Sequence, residues 1–319
     1  MNIVEKGVQT IIKDKDLRLK KVGKKAFDRR TFLKGAGIAA ASVALGGCNV
    51  FTKDAIEGML QKHFREMSSD EIENVKRRLL KQYKKKYGRD FVLGSEPAYP
   101  ETLFSYGLDL SRCIGCRRCV YACVQENNQS RRPQIQWIRV LRMKNGSLDL
   151  EGAEHYYEAG MVPAEGHYTM PVQCQQCENP PCVKVCPTKA TWKEPDGIVV
   201  VDYNWCIGCR YCMAACPYWA RRFNFATPEI KADEINPNLH YLGNRPRMRG
   251  VVEKCTFCIQ RVRKGRYPAC VEVCPVGARK FGNILDPESE ISLILKEKRT
   301  FQLKADLNTR PKFYYFYAT

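Results

Sequence analysis

Apolar residues recur at helical spacing at Ile72, Val75, Leu79 and Tyr83, after Ser68-Ser-Asp-Glu71 offers a capping box and before Gly88 offers a stop. The spacing predicts an amphipathic helix of about 18 residues. Its other face carries Lys76, Arg77, Arg78, Lys81, Lys84, Lys85 and Lys86. That face reads as a solvated side of a peripheral helix, with docking to a membrane or a partner as the alternative.

From Pro100 onward the period changes. Phe104 to Leu110 alternates, Gln134 to Met143 reads as a strand with Trp137, Val140 and Leu141 as core, and Ile198 to Asp202 follows the turn Pro195-Asp-Gly197. Further on, Asp286 or Ser289 is placed to cap a short helix containing Ile291, Leu293, Ile294 and Leu295. Lys312-Phe-Tyr-Tyr-Phe-Tyr317 is too aromatic to lie loose in water and is expected to pack on the domain or into a partner subunit. The longest apolar run, the 14 residues from Gly35 to Cys48, is short for a bilayer span and resembles the core of an export signal.

Cysteine changes this picture most. Sixteen of the 17 cysteines form four runs: Cys113, Cys116, Cys119, Cys123; Cys174, Cys177, Cys182, Cys186; Cys206, Cys209, Cys212, Cys216; and Cys255, Cys258, Cys270, Cys274. Three closely spaced thiolates and a fourth set slightly apart, followed by proline in the last three runs, is the ligand pattern of [4Fe-4S] clusters. Each iron corner of a cubane takes one soft sulfur ligand, and the fourth corner points away from the loop that wraps the other three. The last cysteine of a run therefore serves a neighbouring cluster, and four runs predict four clusters, with the sixteen cysteines as iron ligands.

Small residues support this reading. Gly115 and Gly208 sit inside Cys-Ile-Gly-Cys, where the missing Cβ lets backbone N–H groups approach sulfur. Cys186-Pro-Thr-Lys-Ala190, Cys216-Pro-Tyr-Trp-Ala220 and Cys274-Pro-Val-Gly-Ala278 repeat one frame, as duplicated cluster-binding units would; Val124 breaks it in the first run. Zinc is the competing metal, but its usual pattern is a pair of two-cysteine knuckles across a spacer. Eight disulfides would crowd three thiols per loop, and no Cys-x-x-Cys-His haem motif occurs.

Charge and targeting place the chain. Its formal net charge is +19, of which +12 follows Gly47. This favours anionic lipid headgroups or an acidic partner, and suits anionic reduced clusters. Asp28-Arg29-Arg30-Thr31-Phe32-Leu33-Lys34 resembles a twin-arginine export signal, with Asp28 in place of the usual Ser or Thr. Leu45-Gly46-Gly47-Cys48 resembles a lipobox, making Cys48 a candidate lipidation site; a plain cleavage site and an uncleaved anchor remain open. Each alternative puts the working domain at the outer face of the cytoplasmic membrane, which argues against a nucleic-acid partner.

The four runs, in this order, resemble the four-cluster ferredoxin-type electron-transfer subunits of polysulfide, dimethyl sulfoxide, tetrathionate and nitrite reductases. They are most like the exported iron-sulfur subunit of the menaquinol-linked Dsr/Hme complex. The resemblance covers residues 103 to 319 and includes the four residues between Cys177 and Cys182 and the eleven between Cys258 and Cys270. It implies an α+β, loop-rich fold of two intertwined bacterial-ferredoxin-like modules with long insertions. Cys113, Cys116 and Cys119 would share a cluster with Cys274, and Cys255, Cys258 and Cys270 would take Cys123. Likewise Cys174, Cys177 and Cys182 would take Cys216, and Cys206, Cys209 and Cys212 would take Cys186.

The resulting organisation is a signal at 1–48, a basic helical extension at 49–98 and a four-cluster domain at 99–319. Within the last, the outer module takes 99–165 plus 245–285, the inner module 166–244 and the tail 286–319. The expected function is a relay of single electrons between an integral membrane quinone-binding subunit and a catalytic or cytochrome subunit. Trp205, Tyr211, Tyr218, Arg117 and Arg210 lie close to ligands and are candidates to tune cluster potentials. The rivals are a stand-alone iron-sulfur oxidoreductase and a zinc-stapled binding module. His63, His155, His167 and His240 are scattered, no Gly-x-Gly-x-x-Gly fingerprint occurs, and no ligand is missing from any run to open a catalytic corner. No catalytic residue is therefore expected.

Overall fold

A computed structural model describes residues 68–155 and 164–318. The twin-arginine segment, Cys48 and His63 lie outside the described residues. Helix α1, Ser69–Tyr87, follows the predicted period and buries Leu79, Tyr83 and Tyr87. Gly88 ends it with φ near +65°, its N–H returning to the Lys84 carbonyl at 2.9 Å. Strand β1, Val92–Gly94, then pairs in parallel with β9, Asn238–His240. Residues 92–94 are thus joined by backbone hydrogen bonds to the stretch between the third and fourth cysteine runs.

The largest sheet has four strands. Its centre is β2, Phe104–Asp109, antiparallel to β11, Arg279–Asn283, and parallel to β13, Phe313–Phe316, which in turn pairs with β12, Thr300–Phe301. The alternation in β2 predicts a half-exposed strand, yet all six residues are buried. The second face is covered by Ile291, from the helix Glu290–Glu297, which packs over β2 and β11. Gly107 and Gly282 supply the room, because a Cβ at either would press on the Ile291 side chain. Ser289 caps that helix by accepting the Ser292 N–H at 3.3 Å. The aromatic segment is therefore β13, with Phe313, Tyr315 and Phe316 in the core.

A second sheet sets β3, Arg139–Lys144, between β4, Glu154–His155, and β5, His167–Val172. The strand expected from Gln134 begins only at Arg139, although Trp137, Val140 and Leu141 are all buried as expected. Two small ladders complete the strands: the hairpin β6, Thr191–Lys193, with β7, Val199–Val201, and the pair β8, Arg222–Phe223, with β10, Val252–Glu253.

The remaining helices are short and carry cysteines or follow them. They are α2, Arg118–Glu126; α3, Pro181–Lys184; α4, Tyr211–Ala214; α5, Ile259–Val262; and α6, Ala269–Glu272. The helix over β2 is α7. No described helix is long and apolar enough to cross a membrane.

Candidate metal centres

The cysteine runs share one local design, a strand, a loop with two cysteines and a short helix carrying the third, with α5 interposed before that helix in the fourth run. Strands β2, β5, β7 and β10 lead in, and Cys119, Cys182, Cys212 and Cys270 lie on α2, α3, α4 and α6. The loops turn through left-handed backbone. In the first and third runs Gly115 and Gly208 have φ near +64° and +73°, followed by Arg117 and Arg210 at +60° and +65°. Such turns aim successive N–H groups at one point, and the Gly115 N–H acts on the Cys113 sulfur.

Helix packing then brings runs together across the chain. Helix α2 of the first run packs on α6 of the fourth, and α3 of the second run on α4 of the third. One cavity is lined by Cys113, Cys116, Cys119 and Cys274, and another by Cys174, Cys177, Cys182 and Cys216. In a third group Cys123 is acted on by Cys258, Cys255 and Cys270. In the fourth region Cys206 and Cys182 both act on Cys212. Cys209 is exposed, and the Cys186 sulfur lies 3.8 Å from Thr188 Oγ1.

These groups form a continuous series. Cys119, Cys123, Cys270, Cys255 and Cys174 lie in one buried core that spans the first cavity, the Cys123 group and the second cavity, and Cys182 and Cys212 share a second buried cluster that leads on to the fourth region. Burial pushes the Cys113 thiol up to about 11 and those of Cys177 and Cys255 up to about 12. Such thiols stay protonated at neutral pH unless a cation takes the proton's place, so metal binding here is linked to proton release.

Polar groups are aimed at the sulfurs. Gln129 donates to Cys123 Sγ at 3.1 Å, and Asn127 donates to Cys258 Sγ at 3.4 Å and Cys123 Sγ at 3.6 Å. Arg279 donates to Cys119 Sγ at 3.3 Å. Buried Arg221 leaves Nε and Nη1 without a hydrogen-bond partner, and the groups that act on it are the sulfurs of Cys182, Cys212 and Cys174. A buried cation facing only neutral thiols is costly; facing thiolates, it is matched. Among the described residues no three His, Cys, Asp or Glu side chains converge as a single-ion site requires. Thiols spread around a cavity, with cations and N–H groups behind them, fit a polynuclear iron-sulfur group.

The other candidates divide. Tyr218 is buried, its hydroxyl 2.5 Å from Thr309 Oγ1, and it lines the second cavity. Arg117 is buried beside the first, with Nη2 on Gln136 Oε1 at 3.2 Å. Tyr211 is exposed, and Arg210 stacks over Phe223 and Phe225. His240 is buried near Glu96, its Nε2 3.2 Å from the Glu96 carbonyl, and His167 bonds the Glu165 carbonyl at 2.8 Å. Sequence reasoning missed Asn127, Gln129, Arg221 and Arg279. A signal for the arginines existed, since both directly follow the repeated Cys-Pro-x-x-Ala frame.

The family described as "4Fe-4S dicluster domain" matches residues 112–190, and a second family of the same description matches 166–248 and 242–284. The Hdr-like menaquinol oxidoreductase iron-sulfur subunit 1 of Archaeoglobus fulgidus is 41% identical over 252 residues, 70% of this chain and 87% of that protein. The iron-sulfur subunit of a putative dimethyl sulfoxide reductase of Halobacterium salinarum is 46% identical over 66% of this chain and 78% of its own length. A polysulfide reductase polypeptide of Wolinella succinogenes is 37% identical over 66% of this chain and 92% of its own. With the cysteine runs preserved as thiol groups round buried cavities, the chain belongs to the 4Fe-4S ferredoxin-type iron-sulfur subunits of menaquinol oxidoreductase and polysulfide reductase type.

Proposed function

We propose that this protein relays single electrons through four [4Fe-4S] clusters, between a quinone-linked membrane subunit and a partner carrying a catalytic centre or haem. The observation that carries this is the series of thiol groups, the first three sharing one buried core and the second cavity joined to the fourth region by Cys182 and Cys212 in a second buried cluster. When bound, iron-sulfur clusters supply one-electron transfer without proton or group chemistry. The chain's own residues hold the ligands, exclude water from the inner groups and supply N–H donors and buried cations. Cys209 and Cys113, at opposite ends of the series, are less enclosed than Cys123, Cys255 and Cys258. Two ends open to partners and a closed middle suit a conduit.

The ligand sets are those expected from the resemblance: Cys113, Cys116, Cys119 with Cys274; Cys255, Cys258, Cys270 with Cys123; Cys174, Cys177, Cys182 with Cys216; and Cys206, Cys209, Cys212 with Cys186. The protein is the electron-transfer rather than the catalytic subunit. We place it at the outer face of the cytoplasmic membrane, exported through Arg29-Arg30, with Cys48 as the candidate anchor.

Anaerobic purification with iron and acid-labile sulfide analysis tests the reading. About 16 of each per chain is expected from four cubanes, with electron-spin-resonance signals after reduction by dithionite. Zinc without sulfide would sink it, and a reduced chain that turns over a substrate unaided would favour the stand-alone oxidoreductase. Export is tested by fractionation: protein confined to the cytoplasm defeats the placement.

A further inference from the structure

The repeated frame after the last cysteine of a run extends one residue beyond alanine. The sixth position is Arg221 after Cys216 and Arg279 after Cys274, while Thr191 occupies it after Cys186. Arg221 and Arg279 are only 3% and 4% exposed, two of nine buried Lys and Arg among the described residues. Neither meets a carboxylate among its hydrogen-bond partners. Arg279 Nη2 donates to Cys119 Sγ at 3.3 Å, while Nη1 donates to the Tyr106 hydroxyl at 2.9 Å and Gln173 Oε1 at 3.2 Å. The Tyr106 hydroxyl in turn lies 3.3 Å from Cys270 Sγ. Arg279 therefore touches the first thiol group directly and the Cys123 group through one phenol. Arg221 Nη2 donates to Thr191 Oγ1 at 2.9 Å, its counterpart in the repeat, and the side chain lines the second cavity beside Cys174, Cys182 and Cys216, while it and Cys212 of the fourth region act on each other.

We infer that Arg279 and Arg221 are paired tuning cations, each set between two neighbouring clusters and raising the reduction potential of both. A cluster that gains one electron and no proton becomes one unit more negative, and a fixed buried cation stabilises that form over the oxidised one. Low local dielectric keeps the attraction strong and stops salt from screening it. The arrangement divides the series into two halves, each with its own guanidinium. Two adjacent clusters sharing one cation rise together, so an electron passes between them without a large step in energy. Neither arginine touches a partner or a substrate; each acts on the relay through the sulfurs.

This inference rests on the four-cluster reading, and the experiment separates the two. Iron, labile sulfide and all four midpoint potentials are measured by spin-resonance redox titration on the unmodified protein, Arg279→Gln, Arg221→Gln and the double variant. Arg279→Gln is expected to lower two potentials, each by about a tenfold change in the reduction equilibrium, ~59 mV for a one-electron couple. Arg221→Gln is expected to lower the other two, and the double variant all four. Iron-replete variants with unchanged potentials, or with the same pair shifted by both, overturn the inference. Absence of clusters from the unmodified protein overturns the underlying reading instead. Should a Gln variant lose iron, Arg279→Lys and Arg221→Lys decide. A lysine keeps the charge on a single ammonium, so at most a small downward shift confined to the same pair is expected, and a shift of the other pair or of all four alike defeats the inference.

Discussion

The Arg263 guanidinium holds the Asp196 carboxylate through Nε at 3.0 Å and Nη2 at 2.9 Å, and both side chains are almost wholly closed to solvent. Arg263 follows α5 in the fourth cysteine run, and Asp196 sits in the turn of the β6–β7 hairpin between the second and third. The same Arg263 reaches Glu194 Oε2 at 3.0 Å and the Glu96 carbonyl at 2.9 Å. Without Asp196, Arg263 keeps Glu194 as its remaining carboxylate partner, so Asp196→Ala is expected to cost less than a fully orphaned buried charge, ~1–3 kcal/mol. Denaturant unfolding at matched iron content measures this. The double variant with Arg263→Ala should lose less than the sum of the singles, and strict additivity would contradict a direct pairing.

Gln129 is used at both ends. Its amide donates to Cys123 Sγ, and its oxygen accepts the Trp137 backbone N–H at 3.0 Å. Gln129→Leu should lower one cluster potential, because a hydrogen bond to sulfur favours the more negative reduced form. It should also cost ~1–3 kcal/mol for the orphaned N–H. Redox titration and thermal unfolding report the two effects separately.

The cysteine frame is legible because its spacing is chemistry in one dimension: three ligands in one loop, one beyond. The sulfur-facing cations are not, although Arg221 and Arg279 stand in register with the repeat. An arginine in so basic a chain reads as surface, and only the fold reveals that these two point inward. The strand at Phe104 is evident from its alternation, but its exposure is not, since Gly107 looks like a solvent face until Ile291 of α7 is seen to cover it. Gln134 to Ile138 carries apolar residues without a strand, because Trp137 is buried by its bond to Glu253 at 3.0 Å and by Arg247 over its ring, not by a ladder. Charge balance of that kind between distant residues has no local periodicity.

Gly208→Ala tests the third run. A methyl there would strike the Gly250 carbonyl, and φ near +73° is already unfavourable for a residue with a Cβ. The substitution should cost ~2 kcal/mol or more and selectively reduce occupancy by the cluster that Cys206 and Cys209 would hold. About a quarter of the iron is expected to be lost under mild chelation, as one cubane of four; full retention would show that the loop relaxes freely.

His240 predicts an acid-sensitive fold. Burial lowers its pKa to about 4, opposed by the Glu96 carbonyl and assisted by Arg263 and Lys264. Its Nδ1 accepts the Leu242 N–H at 3.1 Å and its Nε2 donates to the Glu96 carbonyl at 3.2 Å, an arrangement suited to the neutral ring. Because the folded pKa lies below the unfolded value near 6.5, the contribution is fully present above pH 6.5. It is lost as the pH falls from there toward 4. The loss between pH 7.5 and 5.5 should be about 1 kcal/mol greater in the unmodified protein than in His240→Gln. Equal slopes would show that His240 does not titrate between the two states.

Cys119 and Cys274 line one cavity though about 155 residues separate them in the chain. At roughly 5–20 residues per second of synthesis, the first run waits roughly 8–30 s for its fourth thiol. During that interval three reactive sulfurs stand ready with no closed cage, exposed to oxidation and to whatever metal arrives first. If Cys274 supplies the fourth ligand, filling this end of the series would wait until Cys274 has been made, and a scaffold that delivers an intact cubane would suit it better than stepwise capture of free iron.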